Sequence, residues 1–282
     1  MQKILKRQDE PEMLKVQFVA KFYFNAAERS NKLAAYLALV SLLCLVPYPD
    51  SWFWVMATLF AVIDVLVLVL TVLTRRFVNN AADLRAYFDS YVLSIKYDFN
   101  YKLDNRLKGL IYRVVRRYPE QAKTAMENTG WDTPPGVKSW YGLKSASSHN
   151  EAVVKCLNEN RWWEEKLNIH RVVSSVFFLT IVVLSAILLV FVIEINWVSV
   201  MLAMVQLIVR FVERIEANVK YYNATERLKG AYSLLDESQT KANQRGVQKA
   251  INARRHIPVL GSNKWHQKRA RKLSEEYEDT IA

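Results

Sequence analysis

Two apolar hairpins constrain the fold of this chain more than any other feature. Each hairpin consists of two apolar runs joined at an acidic residue, Asp50 or Glu194, and Asp64 is the only charged residue within the runs. A helix needs roughly 17 to 25 mostly apolar residues to cross a bilayer. The sequence therefore predicts an all-α integral membrane protein with four transmembrane helices, paired as hairpins over residues 33–74 and 172–209. The four apolar runs are Leu33–Pro49, Ser51–Thr74, Val172–Ile193 and Ile195–Val209.

The basic residues predict the orientation of these hairpins. All 39 lysines and arginines lie outside the runs, with 7 in residues 1–32, 17 in residues 75–171 and 15 in residues 210–282. Segments rich in Lys and Arg stay in the cytoplasm, so we expect a multi-pass protein with both termini and its central segment cytoplasmic. The net charge of +12 then reflects orientation and attraction to an anionic lipid bilayer, and binding of a DNA or RNA polymer is not needed to explain it.

Helical periodicity extends the apolar runs into the cytoplasm. Apolar residues recur every three or four positions from Arg75 to Tyr118, which predicts either one helix of 44 residues or two helices with a break near Gly109. Tyr118-Pro119 should end it, because the residue before proline disfavours the α conformation. A similar stripe follows the fourth run, and we expect such stripes to be buried in a bundle. It consists of Val212, Ile215, Val219, Tyr222 and Ala231.

These patterns divide the chain into a cytosolic N-terminal helix (1–32), the first hairpin (33–74), a helical sensor region (75–171), the second hairpin (172–209) and C-terminal helices with a tail (210–282). Residues 128–150 are dense in Gly, Pro, Ser and Asn, and they read as a loop within the sensor region. We find no phosphate loop, nucleophile motif or metal-ligand spacing, so we expect no enzyme, no cofactor and no metal.

Three short patches carry a resemblance to a known family. They are ILKRQDEPEMLKVQF near the N-terminus, Trp140-Tyr141 with the following CLNENRWWEEKL, and INARRHIPVLGSNKW near the C-terminus. In them the chain resembles the SMODS-associated four-transmembrane effectors, pore-forming proteins of bacterial cyclic-oligonucleotide-based anti-phage signalling (CBASS). The residues that carry the central motif are Cys156, Glu159, Asn160, Trp162 and Trp163.

The resemblance implies an inner-membrane effector whose cytosolic part binds a cyclic oligonucleotide, after which the protein oligomerises or opens. Such a ligand needs cations for its phosphates and aromatic faces for its bases. The candidate ligand-binding residues are Trp140, Tyr141, Arg113, Arg116, Arg117, Arg254, Arg255 and Lys264. Several of these residues have a structural alternative: the two aromatic residues could anchor the loop to the bundle, and the arginines of 113–117 could be a solvated, lipid-facing or helix C-terminal cluster. In the central motif, Trp162 and Trp163 could pack in the core or at the membrane interface, and Glu159 with Asn160 could form a buried polar network that positions the third span.

Asp64 lies near the middle of the second apolar run, where a charged side chain costs about 2.5 to 3.5 kcal/mol unless it is paired or hydrated. We expect it to line or gate a pore, with Gln206 and Arg210 at the cytoplasmic mouth. The alternative is a protonated acid bonded to Ser41, Thr180 or Gln206. Because four helices seldom enclose an ion path, a pore predicts a homo-oligomer.

Two other functions fit the same topology. A constitutive, bestrophin-like ion channel also combines membrane hairpins with a helical cytosolic body, and it would conduct without a ligand. A membrane adaptor would recruit a partner through its basic cytosolic surface and would conduct nothing.

Overall fold

The computed structural model describes residues 1–40, 49–95, 104–143, 145–162 and 197–259, together with Phe177, Thr180, Ile181, Leu184 and Glu276. All regular structure in these residues is helical, as the sequence predicts. The helices are α1 (Gln2–Gln8), α2 (Pro11–Val40), α3 (Phe53–Leu93), α4 (Asn105–Arg117), α5 (Pro119–Glu127), α6 (149–162), α7 (Trp197–Glu237) and α8 (Lys241–Arg255).

Helices α2 and α3 form a long antiparallel hairpin that organises the rest of the fold. Along its length, the Glu10 carboxylate accepts a hydrogen bond from the Tyr91 hydroxyl at 2.7 Å, and the rings of Tyr23 and Phe77 lie 5.8 Å apart. At the far end Ala38 packs against Ile63 and Val67. The main core forms where the other helices pack on the opposite end of this hairpin, and it includes Val19, Phe88, Leu107, Val137, Cys156, Tyr232 and Ile251.

The predicted continuous helix from Arg75 to Tyr118 is wrong, and so is the alternative break at Gly109. Helix α3 ends at Leu93, Ser94 takes a left-handed conformation with φ of 57°, and α4 begins after Asp104. The Asp104 carboxylate accepts a hydrogen bond from the Leu107 amide at 2.7 Å, which caps the new helix. Gly109 lies inside α4 with open space beside it. The predicted end is confirmed, because α4 stops at Arg117 and Pro119 starts α5.

Helix α7 continues from Trp197 to Glu237 without interruption, so the predicted extension of the fourth apolar run is confirmed. The face that α7 buries is not the predicted one. Tyr221, Leu228, Tyr232 and Leu235 are 1 to 4% exposed, whereas the first four residues of the predicted stripe, Val212, Ile215, Val219 and Tyr222, are 43 to 64% exposed. The expectation that the stripe is buried is therefore wrong for these four residues, and only its last member, Ala231, packs against the main core.

One helix among the described residues, α3, is long and apolar enough to cross a membrane. Only 17% of its most apolar stretch is buried by protein, unlike the mostly buried core helix of a soluble protein. A short 3-10 turn, Asp50–Trp52, precedes it at the predicted hairpin tip. Most of the predicted third apolar run lies outside the described residues.

Candidate functional site

A buried carboxylate joins three elements that are far apart in the sequence. Asp89 of α3 is fully buried and accepts hydrogen bonds from the Tyr141 hydroxyl at 2.9 Å, from Gln248 Nε2 at 2.9 Å and from Arg255 Nη1 at 2.5 Å. We call Asp89, Tyr141, Gln248 and Arg255 the Asp89 network. Burial and the neighbouring Asp89 charge raise the pKa of Tyr141 well above its usual value, so the phenol stays protonated as a donor.

Helix α1 holds the same loop from its other side. The Gln8 side chain bonds the backbone of Tyr141 twice: Oε1 accepts from the Tyr141 amide at 2.8 Å, and Nε2 donates to the carbonyl at 3.4 Å. The Asp9 carboxylate accepts from the Ser139 amide at 2.8 Å. These contacts fix the backbone on both sides of Trp140.

Trp140 lies against Arg85, and together they form the outer part of the site. The Arg85 guanidinium carbon is 3.8 Å from the indole centroid, within the range of a cation–π contact, and Trp140 remains 37% exposed. Burial of the guanidinium and the nearby positive charge of Arg255 lower the pKa of Arg85 to about 10. Burial and the like charge of Arg255 both disfavour the charged form of Arg85. An anion bound beside Arg85 would offset both effects and would itself be stabilised by the two positive charges.

Lys21 of α2 adds a third cation. Its ammonium donates to the carbonyls of Pro135 and Gly136 at 2.5 and 3.5 Å, and burial followed by the charge of Arg85 lowers its pKa to about 8. Lys21, Arg85, Arg255 and Trp140 are called the cationic cluster below. Asp89 supplies one negative charge against three positive groups. In the part of the chain that the structure describes, Arg85 donates no hydrogen bond, so the N–H groups of its guanidinium can donate to a ligand oxygen.

Other predicted ligand residues lie elsewhere. Arg254 is 4% exposed, and its guanidinium carbon is 5.7 Å from the ring centroid of Tyr221 on α7. Arg113, Arg116 and Arg117 are exposed on α4 and make local contacts, such as Arg113 Nε to the Gly109 carbonyl at 3.2 Å. Lys264 lies outside the described residues. The structure therefore brings Trp140, Tyr141 and Arg255 together and does not join the α4 arginines to them.

The central motif packs beneath the loop. Asn160 Nδ2 donates to the Tyr141 hydroxyl at 3.4 Å, and the Glu159 carboxylate accepts from the Gly142 amide at 3.3 Å. Burial raises the pKa of Glu159 to about 7 and raises that of the buried Cys156 thiol well above its usual range. Trp162 is half-buried on α6, and Trp163 lies outside the described residues. These contacts match the structural alternative, in which Glu159 and Asn160 belong to a polar network.

Asp64 is half-buried on α3 and lines a cavity of about 210 Å³ with Thr71, Val209 and Glu213. The position faces protein and cavity, as expected of a costly charge within an apolar run. The helix backbone is described at Gln206 and Arg210, but their side chains lie outside the description, and so does Ser41.

The end of α8 is tied to α3 next to the Asp89 network. His256 Nε2 lies 2.9 Å from the Asp83 carboxylate, which also pairs with Arg106. The hydrogen bond to Asp83 raises the pKa of His256, and hydrogen bonds from His256 and Arg106 lower that of Asp83 although burial opposes them. Beside this contact a polar cleft of about 320 Å³ lies between α3 and α7 and includes Arg75, paired with Glu213 at 3.2 Å.

Sequence reasoning missed Asp89, Arg85, Lys21 and Gln248. Each lies next to an apolar position of a helical stripe, as Asp89 does beside Phe88, and nothing local distinguishes it from a solvated residue. The hydrogen-bond partners of Asp89 are 52 to 166 residues away in the sequence. Among the described residues no three His, Cys, Asp or Glu side chains are grouped so that they could hold a metal ion.

Comparison with known proteins gives one match. The family model described as the SMODS-associating 4TM effector domain matches residues 2–257, which is most of the 282-residue chain. No curated protein and no solved structure matches the chain. The matched range includes α1, the loop with Trp140, and α8 with Arg255, so all the elements of the candidate site fall inside it.

Proposed function

The chain belongs to the SMODS-associating 4TM effector family, and on that premise we propose that it is a CBASS effector that binds a cyclic oligonucleotide through the cationic cluster and then permeabilises the bacterial inner membrane. Family membership supports a membrane effector in a cyclic-oligonucleotide signalling context. The identity of the site, the ligand and the pore are our proposal.

One observation carries the ligand site: Arg85 lies against a partly exposed indole, close to two other cations, and donates no hydrogen bond in the described part of the chain. A cyclic oligonucleotide presents phosphodiester anions and flat bases in one rigid ring. Its phosphate would accept hydrogen bonds from Arg85 and Arg255, and a base would stack on Trp140, a contact worth roughly 1 to 3 kcal/mol. Lys21 would add a point charge at the rim.

The same site offers a route from ligand to membrane. Arg255 and His256 attach the end of α8 to Asp89 and Asp83 of α3, the helix that is apolar enough to cross a membrane. A phosphate that competes for Arg255 would weaken one of these two attachments. If the ligand binds more tightly to a second arrangement of α8 on α3 than to the one seen here, binding shifts the population toward that second arrangement.

We infer the rest of the membrane arrangement from the sequence. Four spans, cytoplasmic termini and a homo-oligomer around the ion path follow from the apolar runs, the positive charge outside them and the small number of helices in one protomer. In this arrangement Asp64 faces the path and favours cations, and Gln206 and Arg210 lie towards its cytoplasmic end.

Binding of cyclic di- and trinucleotides to the full-length protein in detergent, measured by calorimetry, tests the site. Arg85→Ala and Trp140→Ala should each weaken binding roughly 5- to 150-fold, which corresponds to about 1 to 3 kcal/mol. Lys123→Ala is the matched control, because Lys123 is an exposed cation on α5 and its loss should leave affinity unchanged. Unchanged affinity in both folded site variants would rule out the cationic cluster as the binding site.

A further inference from the structure

Helix α7 carries an uncovered apolar stripe on the side opposite to its buried face. Val212, Ile215, Val219 and Tyr222 are 57, 43, 52 and 64% exposed, whereas Tyr221, Leu228, Tyr232 and Leu235 face the chain's own core. At 3.6 residues per turn these two sets lie on opposite sides of the helix. Exposed apolar stripes of this kind mark interaction surfaces.

The spacing of the stripe is that of a coiled-coil seam. Steps of three, four and three residues place Val212 and Val219 at a positions and Ile215 and Tyr222 at d positions of a heptad. The same register extends backwards in the sequence through Ile208, Val205, Met201 and Val198, so valine occupies every a position. These eight apolar positions span 25 residues, which meets the about three to four heptads expected of a coiled coil.

We propose that this α7 seam, the positions from Val198 to Tyr222, packs against the α7 seam of a second copy of the chain and forms an interface between two protomers of the assembly. Copies inserted in one membrane share one orientation, so their α7 helices would run parallel and equivalent positions would meet. The inference deepens the proposed function, since it assigns the surface through which the proposed oligomer forms.

The flanking charges allow such a parallel pairing. Glu216 is at an e position, which in a parallel pair lies next to a g position of the other helix, and the neighbouring g positions are Phe211 and Asn218. No like charges therefore oppose each other there, and each Glu216 is paired with Lys220 of its own helix. The seam also ends where the sequence turns polar, because the next a position is Glu226. Lipid alone would not require a heptad register, nor would it explain apolar positions that continue for about three turns beyond Arg210, among charged residues.

Disulfide cross-linking in liposomes tests the seam. Val219→Cys should form a cross-linked dimer in most of the oxidised protein, because equivalent seam positions meet within the distance that a disulfide spans. Lys220→Cys is the matched control: it is equally accessible on the next residue but points about 100° away, and it should give no more dimer than the parent chain with its own cysteines. Equal yields from the two variants would overturn the proposal.

A second variant tests the interface without a new cysteine. Ile215→Glu brings uncompensated carboxylates together at the seam and should shift detergent-solubilised protein to the monomer by native mass spectrometry, whereas Ile215→Leu should keep the assembly. An unchanged mass distribution for Ile215→Glu would contradict the proposal that the seam is an interface. So would a Val219→Cys variant that a lipid-attached maleimide labels but that forms no cross-link, because the position would then face lipid. If the seam variants give the contradicting results but liposomes with the parent protein still release dye when a cyclic nucleotide is added, only the assignment of the interface is wrong. If the parent protein releases no dye, the proposed function is wrong, and the cross-linking result still decides whether the seam is the interface.

Discussion

Replacing Asp89 by asparagine tests the Asp89 network. The substitution keeps the shape of the side chain but removes the charge opposite Arg255, whose side chain is only 13% exposed. Removing one partner of a buried ion pair leaves an uncompensated charge and costs about 3 to 5 kcal/mol. The amide oxygen can still accept from Tyr141, but the NH₂ group then takes the place of Oδ2, the oxygen that accepts from both Gln248 Nε2 and Arg255 Nη1, so it faces two donors.

The expected result for Asp89→Asn is therefore a loss of about 3 to 5 kcal/mol in the free energy of unfolding of the helices packed around Asp89, measured by denaturant titration of tryptophan fluorescence in detergent. Hydrogen exchange should also speed up in residues 128–143, because the loop loses its anchor to α3. Tyr141→Phe deletes one hydrogen bond and should cost only about 1 to 2 kcal/mol.

A double variant separates the ion pair from general damage to the core. Asp89→Asn combined with Arg255→Met removes both charges, so the loss should be smaller than for Asp89→Asn alone. A cost within about 0.5 kcal/mol of the parent for Asp89→Asn, which is typical of a surface substitution, would refute the reasoning.

Three other substitutions test separate parts of the account. Burial raises the pKa of Glu159 to about 7, so between its usual pKa and about pH 7 the folded chain holds a proton that the unfolded chain has released. The stability that Glu159 contributes therefore falls as the pH rises through this range, by at most about 3 kcal/mol. Glu159→Gln should abolish this part of the pH dependence of unfolding. Gly136→Ala would place a Cβ 1.8 Å from the Asn128 carbonyl oxygen, so it should lower the melting temperature by distorting the loop, and an unchanged melt would contradict this packing. Asp64→Asn should change single-channel conductance while nucleotide affinity stays the same; unchanged conductance would mean that Asp64 is a packed acid and not part of the path.

Local signals in the sequence predict local structure well. Tyr118-Pro119 ends one helix and starts the next because proline acts on its immediate neighbours. The break after Leu93 was missed because the apolar spacing of three and four residues continues through it. The sequence there also contains Asp98, Asn100 and Asp104, residue types that favour caps and turns, and the apolar pattern outweighed them in our prediction.

Long-range contacts explain what the sequence could not predict in the site. The ligand that the family resemblance implies, together with their residue types, predicts Trp140, Tyr141 and Arg255 as site residues, but the acid that connects two of them lies on α3, 52 residues from Tyr141. Helix α7 shows a related difficulty, because it is apolar on two opposite sides. Only packing reveals that Tyr232 faces the core and Val219 does not.

The central claim is that a cyclic nucleotide bound in the cytosolic part opens a path through the membrane. Dye-loaded liposomes that contain the purified full-length protein test it most directly, with cyclic di- and trinucleotides added outside the vesicles and Arg85→Ala as the control variant. We predict release by the parent protein with at least one cyclic nucleotide, none without nucleotide and none with Arg85→Ala. Release that is independent of nucleotide would favour a constitutive channel, and no release with any of them would contradict the account.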